Sequence, residues 1–276
     1  MIKLGEYNQL DIIRETDHGI YLGDGEGNEV LLPNKYIPES YKIWDTLEVF
    51  VYLDHEERPV ATTLRPFVTL NNFAYLRCAD TNTTGAFMDW GLEKQLFVPF
   101  REQARPMKKG SWYIVYLYLD EKTGRLAGSS KTRQFLSNEN HTLKKFDKVQ
   151  VLVTHISDKG ANVIINNKHE GLIHIETIFE DIRSGDRMDA YIKKVRPDGK
   201  IDVIIQPEGY KSIEPNAEYI YNELKAAGGF LPFHDKTDSE EIKNQLGISK
   251  KLFKKAIGTL FKDKKIVIKE DGIELL

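Results

Sequence analysis

The chain has 276 residues, of which 41% are hydrophobic and 29% are charged, and its formal net charge is −3. This composition allows buried cores and argues against wholesale disorder, and the near-neutral charge argues against a protein that holds polyanions through overall charge alone. The single cysteine, Cys78, excludes an internal disulfide. Because no His or Cys cluster accompanies it, we expect a buried thiol, no metal site and no cofactor.

The sequence contains no segment that resembles a membrane span. Its longest apolar run, residues 112–119, is far shorter than the roughly 20 residues that a spanning helix needs. The first six residues lack the apolar segment of a secretory signal. We therefore expect a cytoplasmic protein with no membrane partner.

Charge is unevenly distributed along the chain. Residues 1–64 carry five basic and thirteen acidic side chains, whereas residues 65–143 carry eleven basic and seven acidic ones. Residues 144–210 are balanced at eleven each, and residues 211–276 carry twelve basic and eleven acidic side chains. A nucleic acid would be repelled by the first segment and attracted by the second.

Three segments of similar sequence follow one another, and each contains a short motif that begins with a glycine. These are Gly19, Gly85 and Gly160, at spacings of 66 and 75 residues. The repeated motifs are Gly19-Ile20-Tyr21-Leu22 with Val30-Leu31-Leu32-Pro33, Gly85-Ala86-Phe87-Met88 with Leu96-Phe97-Val98-Pro99, and Gly160-Ala161-Asn162-Val163 with Gly171-Leu172-Ile173-His174. A residue without a Cβ suits a sharply bent barrel strand at these positions.

Each segment predicts five short strands, with one before the glycine, two in the motif and two in a following hairpin. The strands before the glycine are predicted over residues 7–14, 72–80 and 148–156, and the hairpins over 45–60, 110–129 and 186–205. Five such strands suit a small closed barrel, which leaves no exposed sheet edge. The predicted barrels cover residues 1–64, 67–132 and 144–207.

Residues 213–276 change character and predict a winged-helix domain, so the fold class is mainly β with a C-terminal α/β module. Helices are predicted over residues 216–227, from the N-cap Asp238 to Leu246, and from the N-cap Ser249 to about Lys262, followed by strands at 265–269 and 273–276. The last helix has one apolar face, formed by Leu252, Phe253, Ala256, Ile257, Leu260 and Phe261.

The second and third motifs resemble the S-one domain, an OB-fold module named after a ribosomal small-subunit protein. The string Gly171-Leu172-Ile173-His174-Ile175 is closest to the usual motif, and Gly85-Ala86-Phe87-Met88-Asp89-Trp90-Gly91-Leu92 resembles a variant with proline at the usual histidine place. The tail strings Leu231-Pro232-Phe233-His234-Asp235-Lys236 and Phe253-Lys254-Lys255-Ala256-Ile257-Gly258 resemble the bacterial CvfB/YitL family, as does the domain order along essentially the whole chain. This resemblance implies RNA binding and post-transcriptional regulation of gene expression, including virulence genes in some bacteria.

The second barrel has the most favourable pattern for binding nucleic acid. An OB barrel presents its second and third strands to single-stranded nucleic acid, where bases stack on aromatic rings and cations follow the phosphates. Phe73, Tyr75 and Arg77 alternate onto one face of the first strand. Phe87 occupies the stacking place of the motif, with Trp90 just beyond. The alternative is that these rings fill the barrel core or the seam to a neighbouring domain.

The other two barrels have weaker patterns. In the third barrel the resemblance places Lys159 and His174 at binding positions, and Asn162 replaces the usual aromatic residue, which leaves hydrogen bonding as its role. His155 and His174 lack a third ligand, so we expect no metal there. The first barrel has Tyr21 at the corresponding place, but its acidic surroundings oppose phosphate contact. We therefore expect it to serve as a spacer or as a surface for a protein partner.

Four lysines lie on the exposed side of the last helix, in the position of a recognition helix. They are Lys250, Lys251, Lys254 and Lys255. They either contact nucleic acid, DNA included, or form an ordinary solvated face, and lysine supplies charge without reading bases. The sequence has no P-loop, dinucleotide-binding, zinc-protease or nucleophile-elbow motif, so we do not expect an enzyme.

The predicted function is that of a regulator that binds single-stranded RNA across the second and third barrels with help from the winged helix. Two alternatives remain open. A protein-interaction scaffold would use the acidic first barrel, and a DNA-binding regulator would use the winged helix.

Overall fold

The computed structural model describes residues 1–139, 141–178, 181–205 and 215–276. The chain divides into two compact units, Met1–Ile205 and Gln206–Leu276. The first unit contains three five-stranded β-structures and the second a winged helix, which confirms the predicted fold class. The predicted end of the third barrel at residue 207 and the predicted start of the winged helix at residue 213 lie outside the described residues. No helix in the described ranges is long and apolar enough to cross a membrane.

The first barrel is closed by hydrogen bonds in the order β1-β2-β3-β5-β4. Its strands are β1 (Tyr7–Thr16), β2 (Gly19–Gly23), β3 (Glu29–Pro33), β4 (Thr46–Leu53) and β5 (Pro59–Thr62). A bulge in β1 between Ile12 and Arg14 bends this strand, so that it pairs with β2 along one edge and with β4 along the other. Every second side chain points inward, and Leu10, Ile12 and Leu22 are among those that fill the interior.

The second barrel has the strand order β10-β9-β6-β7-β8. Its strands are β6 (Phe73–Thr81), β7 (Gly85–Asp89), β8 (Leu96–Pro99), β9 (Trp112–Asp120) and β10 (Arg125–Ser129). Within the described residues no hydrogen-bonded ladder joins β8 to β10, so the structure differs from the predicted closed barrel at this edge. The two strands meet through side chains instead, since a Cβ at Gly128 of β10 would lie 2.8 Å from a methyl carbon of Val98.

The third barrel repeats the closed arrangement of the first, in the order β11-β12-β13-β15-β14. Its strands are β11 (Lys148–Ser157), β12 (Gly160–Ile165), β13 (His169–His174), β14 (Arg187–Val195) and β15 (Ile201–Ile204). In all three barrels a short 3-10 turn follows the third strand, at Asn34–Tyr36, Phe100–Glu102 and Ile175–Thr177. The residues before these turns are Pro33, Pro99 and His174, so the structure aligns the three repeats as the motifs predicted.

The three motif glycines are required by the close approach of a neighbouring strand. A Cβ would lie 2.1 Å from the carbonyl oxygen of Leu32 at Gly19, 2.4 Å from that of Val98 at Gly85, and 2.0 Å from that of Ile173 at Gly160. Because no side chain fits in that space, each repeat needs a glycine at this position, and the three glycines mark the repeat in the sequence.

In its described residues, 215–276, the second unit has three helices and a three-stranded sheet. Its elements are α1 (Pro215–Ala226), β16 (Phe230–Leu231), α2 (Ser239–Leu246), α3 (Lys250–Lys262), β17 (Ile266–Ile268) and β18 (Ile273–Leu275). Asp238 and Ser249 cap α2 and α3 by accepting hydrogen bonds from the backbone N–H groups of Glu240 and Leu252, as predicted. The buried face of α3 is narrower than predicted, because Leu252 and Phe261 are 40% and 54% exposed.

Candidate nucleic-acid interface

Phe73 is fully buried in the seam between the second and third barrels. Its ring packs 4.7 Å from that of Tyr116, beside Leu152 and Ile164 of the third barrel. Arg187 of β14 also donates a hydrogen bond to the Phe73 carbonyl oxygen. A base cannot reach this ring, so the prediction that Phe73 stacks on nucleic acid is wrong.

Trp90 is buried in the seam between the first and second barrels. Its ring lies 5.9 Å from that of Phe50 and 6.4 Å from that of Tyr52, both from β4. Its indole Nε1 donates a hydrogen bond of 2.6 Å to the Lys94 carbonyl oxygen. The predicted stacking role is therefore wrong for Trp90 as well. Phe73 and Trp90 instead fill seams between neighbouring barrels, which was the alternative interpretation of these rings.

Tyr75 and Arg77 lie on the outer face of β6. A cleft surrounds Phe87 on the next strand, and neither Tyr75 nor Arg77 is among the described residues that line it. The Tyr75 ring stacks on that of Trp112 at 5.2 Å and is half-buried. Arg77 is exposed and lies opposite Asp89 of β7 and Trp112 of β9. Tyr75 and Arg77 thus lie on the outer side of the second barrel but do not line the cleft that contains Phe87, and their binding roles stay predictions.

Phe87 forms the floor of a cleft, here called the aromatic cleft, together with Phe97 on the adjacent strand. The two residues are directly paired between β7 and β8, and their ring centroids are 5.3 Å apart. The cleft encloses about 780 Å³ and is edged by Lys94, Arg101 and Arg125. Sequence reasoning overlooked Phe97, although it alternates with the buried Leu96 and Val98 and so had to face outward.

The opposite wall of the aromatic cleft comes from the acidic first barrel. Glu57, in the turn between β4 and β5, forms an ion pair with Arg125. Lys94 donates a 2.6 Å hydrogen bond to the Asp54 carbonyl oxygen in the same turn. Arg101, on the second barrel's own side, pairs with Asp120 at 3.4 Å. In this structure each cation at the edge of the cleft therefore already has an oxygen partner.

Lys159, Asn162 and His174 come together along one groove of the third barrel, here called the third-barrel groove. The groove runs over β12 and β13 and encloses about 610 Å³. Lys159 and Asn162 are exposed, and His174 is partly buried. The three residues predicted for the third barrel thus share a surface, although His174 lies 15 positions after Lys159 in the sequence.

His174 is held by a charged network that the sequence analysis missed. Its Nε2 lies 2.9 Å from Oδ1 of Asp202, whose Oδ2 accepts a 2.8 Å hydrogen bond from Nε of Arg196. Burial acts to raise the pKa of Asp202, but the hydrogen bonds from Arg196 and His174 outweigh it and lower the pKa below its usual value. Asp202 is therefore charged, and it fixes the side chains of Arg196 and His174 at the wall of the groove.

The lysines of α3 lie outside its buried face. Lys251, Lys254 and Lys255 are exposed, whereas Lys250 is partly buried and its Nζ lies 3.4 Å from the Lys236 carbonyl oxygen. The first turn of α3 carries no acidic side chain. Across the ranges that the structure describes, no group of three His, Cys, Asp or Glu residues is placed to hold a metal ion.

Two known domain families match parts of this chain. An S1 domain model, the S-one domain named above, matches residues 4–64, and a CvfB-like winged helix domain model matches residues 218–275. OB barrels of this kind bind oligonucleotides and oligosaccharides. The chain therefore combines an S1-type OB domain with a CvfB-like winged helix.

The full chain is similar to two named bacterial proteins. It is 28% identical to "Uncharacterized protein YitL" of Bacillus subtilis, over 97% of this chain and 92% of the relative. It is 23% identical to "Conserved virulence factor B" of Staphylococcus epidermidis, over 99% of this chain and 94% of the relative. A crystal structure from Streptococcus pneumoniae, described as a multidomain protein with nucleic acid binding domains, is 26% identical over 99% and 98% of the two chains, with a TM-score of 0.42. The predicted resemblance to the CvfB/YitL family is confirmed.

Proposed function

We propose that this chain binds single-stranded RNA across its second and third barrels, with the winged helix adding contacts, and that it acts in the cytoplasm as a post-transcriptional regulator of gene expression. The observation that carries the proposal is the partly exposed Phe87–Phe97 pair in a cleft that Arg101 and Arg125 also line. An aromatic floor with cations at its edge is the arrangement on which OB folds stack unpaired bases.

The shape of the aromatic cleft favours a single strand over a duplex. Stacking on Phe87 needs a base whose face is free, and the bases of a duplex already stack on one another. Each base stacked on an aromatic ring contributes about 1–3 kcal/mol. Two adjacent rings therefore provide enough free energy to retain a short unpaired segment.

The third-barrel groove supports the same proposal with polar contacts. Lys159 and Arg196 supply charge for phosphates, and Asn162 supplies an amide for a base edge. His174 keeps a fixed orientation through Asp202. A strand crossing from the aromatic cleft would thus pass from stacking to hydrogen bonding.

The winged helix contributes through charge in this proposal. Lys251 and Lys254 on α3 are exposed and have the residue type that contacts phosphates without reading bases. The name of the relative "Conserved virulence factor B" supports a regulatory role. Because the lysines give no sequence readout, specificity would come from the barrels.

The test compares the affinity of the full chain for labelled single-stranded RNA, single-stranded DNA and duplex DNA by fluorescence anisotropy at two salt concentrations. We expect RNA to bind best and more weakly at higher salt. The double variant Phe87→Ala/Phe97→Ala should bind RNA more than about tenfold more weakly, since it removes two stacking surfaces. Phe146→Ala, which removes an exposed ring outside both clefts, is the control. Unchanged affinity of the double variant, or tighter binding of duplex DNA, would overturn the proposal.

A protein partner for the first barrel is the second candidate function. The barrel is acidic, and Trp44 on its surface is 72% exposed. Co-purification of one stable partner after nuclease treatment, and its loss in Trp44→Ala, would favour this role.

A further inference from the structure

The segment that joins the second and third barrels is attached firmly to the second barrel. The backbone N–H of Ser130 donates a 2.9 Å hydrogen bond to the carbonyl oxygen of Glu102, and its hydroxyl accepts one of 2.9 Å from the N–H of Ala104. Further along, the Phe135 ring stacks on that of Tyr116 at 4.0 Å. The start of the segment is therefore held at Glu102 and Ala104, close in sequence to Arg101 of the aromatic cleft.

The other end of the same segment is attached to the third barrel. The N–H of Ser137 donates a 3.0 Å hydrogen bond to the Lys168 carbonyl oxygen. Asn138 donates to the carbonyl oxygens of Glu170 and Gly199 at 2.9 and 3.0 Å, and accepts from the N–H of Glu170 at 2.8 Å. Residues 130–138, here called the bridge, are thus positioned by both barrels before any ligand arrives.

The bridge carries two cations between its attachment points. Its 3-10 turn, Thr132–Phe135, is attached through the stacked Phe135 ring, and the side chain of Arg133 on that turn is 89% exposed. The present partner of Arg133 is Glu170, at 3.4 Å from its Nε. Lys131, immediately before the turn, is partly exposed.

The bridge also borders the third-barrel groove through a small cavity. Thr132, Arg133 and Leu136 line a small cavity of about 190 Å³ with residues of β12 and β13. Asn162, Glu170 and Gly171 belong to that cavity and to the third-barrel groove alike, so the two are continuous.

We propose that the bridge is a third part of the RNA-binding surface, in which Arg133 and Lys131 bind backbone phosphates of the nucleotides that cross from the aromatic cleft to the third-barrel groove. This inference rests on the proposed function. A guanidinium suits phosphate oxygens because it donates two parallel hydrogen bonds, and a phosphate would replace Glu170 as its partner. Because both barrels already hold the bridge, binding would cost little conformational entropy.

The test uses the full chain with the double variant Lys131→Gln/Arg133→Gln and two labelled RNA oligonucleotides of unstructured sequence. One has about 5 nucleotides, enough for one barrel, and the other about 20, enough to cross the bridge. We expect the variant to bind the longer RNA about 5- to 20-fold more weakly and the shorter RNA as the wild type does. The slope of log affinity against log salt for the longer RNA should become shallower by about 0.7 for each phosphate that the variant no longer neutralises.

The matched control is Arg183→Gln, which removes another exposed arginine that pairs with a carboxylate, in this case Asp181 at 2.7 Å. It lines neither cleft nor the small cavity. If the wild type fails to bind the longer RNA, the proposed function itself is refuted. If the wild type binds but the double variant matches it, or Arg183→Gln weakens binding equally, only the role of the bridge is refuted.

Discussion

Gly185 of the third barrel lies directly against the ring of Tyr75 in the second barrel, so closely that a Cβ at Gly185 would be 2.1 Å from Cδ1 of Tyr75. Gly185 sits at the corner before β14, and Gly110 and Trp44 occupy the same corner in the other two barrels. In each barrel the backbone N–H of this corner residue donates a 2.8 Å hydrogen bond to a carbonyl oxygen of the barrel's first strand. The acceptors are Val153 for Gly185, Cys78 for Gly110 and Ile12 for Trp44. The same corner thus recurs in all three barrels, and in the third barrel it packs against the second barrel at Tyr75.

Gly185→Ala should destabilise the first unit by about 1–3 kcal/mol, because the methyl group has no space beside Tyr75 and the φ of +98° favours glycine. Gly110→Ala is the matched control, since its φ is +82° and no atom lies within 4 Å of the added Cβ. Urea unfolding of both variants measures the difference. Equal losses would show that the seam exerts no constraint at Gly185. Adding Tyr75→Ala to Gly185→Ala should restore part of the loss.

Trp44→Gly should stabilise the first barrel by about 1 kcal/mol. Trp44 has a φ of +77°, a conformation that costs a bulky side chain energy, and its exposed ring contributes little packing. Trp44→Ala removes the ring but keeps a Cβ at that φ, so it should give no such gain. Thermal unfolding midpoints of the three proteins provide the comparison, and equal midpoints for the glycine and alanine variants would contradict the expectation of strain.

Asp202→Asn should destabilise the third barrel by about 1–3 kcal/mol at neutral pH, because it removes the charged partner of Arg196 and His174. Folding lowers the pKa of Asp202 below its usual value of 3.8, so its stabilising effect is fully present above that value and is lost as the pH falls through the folded-state pKa. Urea unfolding at neutral and acidic pH should therefore show the gap between wild type and variant closing in acid. Asp198→Asn, which breaks an exposed pair with Lys200, is the control and should have little effect.

Glu57→Gln should bind single-stranded RNA up to about fivefold more tightly than the wild type. Glu57 occupies Arg125 at the edge of the aromatic cleft, and a surface pair of this kind is worth up to about 1 kcal/mol. Glu56→Gln makes the same charge change in the same turn, but its carboxylate pairs with Arg58 instead. Anisotropy titrations distinguish the two. An equal gain in both variants would mean that overall charge, and not competition for Arg125, controls the affinity.

The barrels and the winged helix were predictable because their signals are local. Gly19, Gly85 and Gly160 stand where a neighbouring carbonyl oxygen leaves no space for a side chain, so each repeat carries its own marker. Alternation along strands and the caps at Asp238 and Ser249 depend on residues a few positions apart. The domain boundaries and the binding roles of the remaining candidate residues stay predictions.

The seams were not predictable, because an outward aromatic residue has the same sequence pattern whether it meets another barrel or solvent. Phe73 and Phe87 both alternate with inward residues, yet Phe73 is buried against Leu152 and Phe87 lies in an open cleft. Contacts between barrels also join distant positions, as between Arg125 and Glu57. Asp202 had no distinguishing feature in the sequence, since its partners Arg196 and His174 are brought to it only by the closing of the barrel.

The shared core at the first seam has a consequence for how the chain folds as it is made. Phe50, Tyr52 and Val60 belong to the first barrel, but they pack in one continuous core with Trp90 and Leu92 of the second. During synthesis the first barrel therefore leaves the ribosome with an apolar side uncovered, and that side stays open until the second barrel has emerged. The two barrels should consequently acquire their final stability together, as one cooperative folding unit.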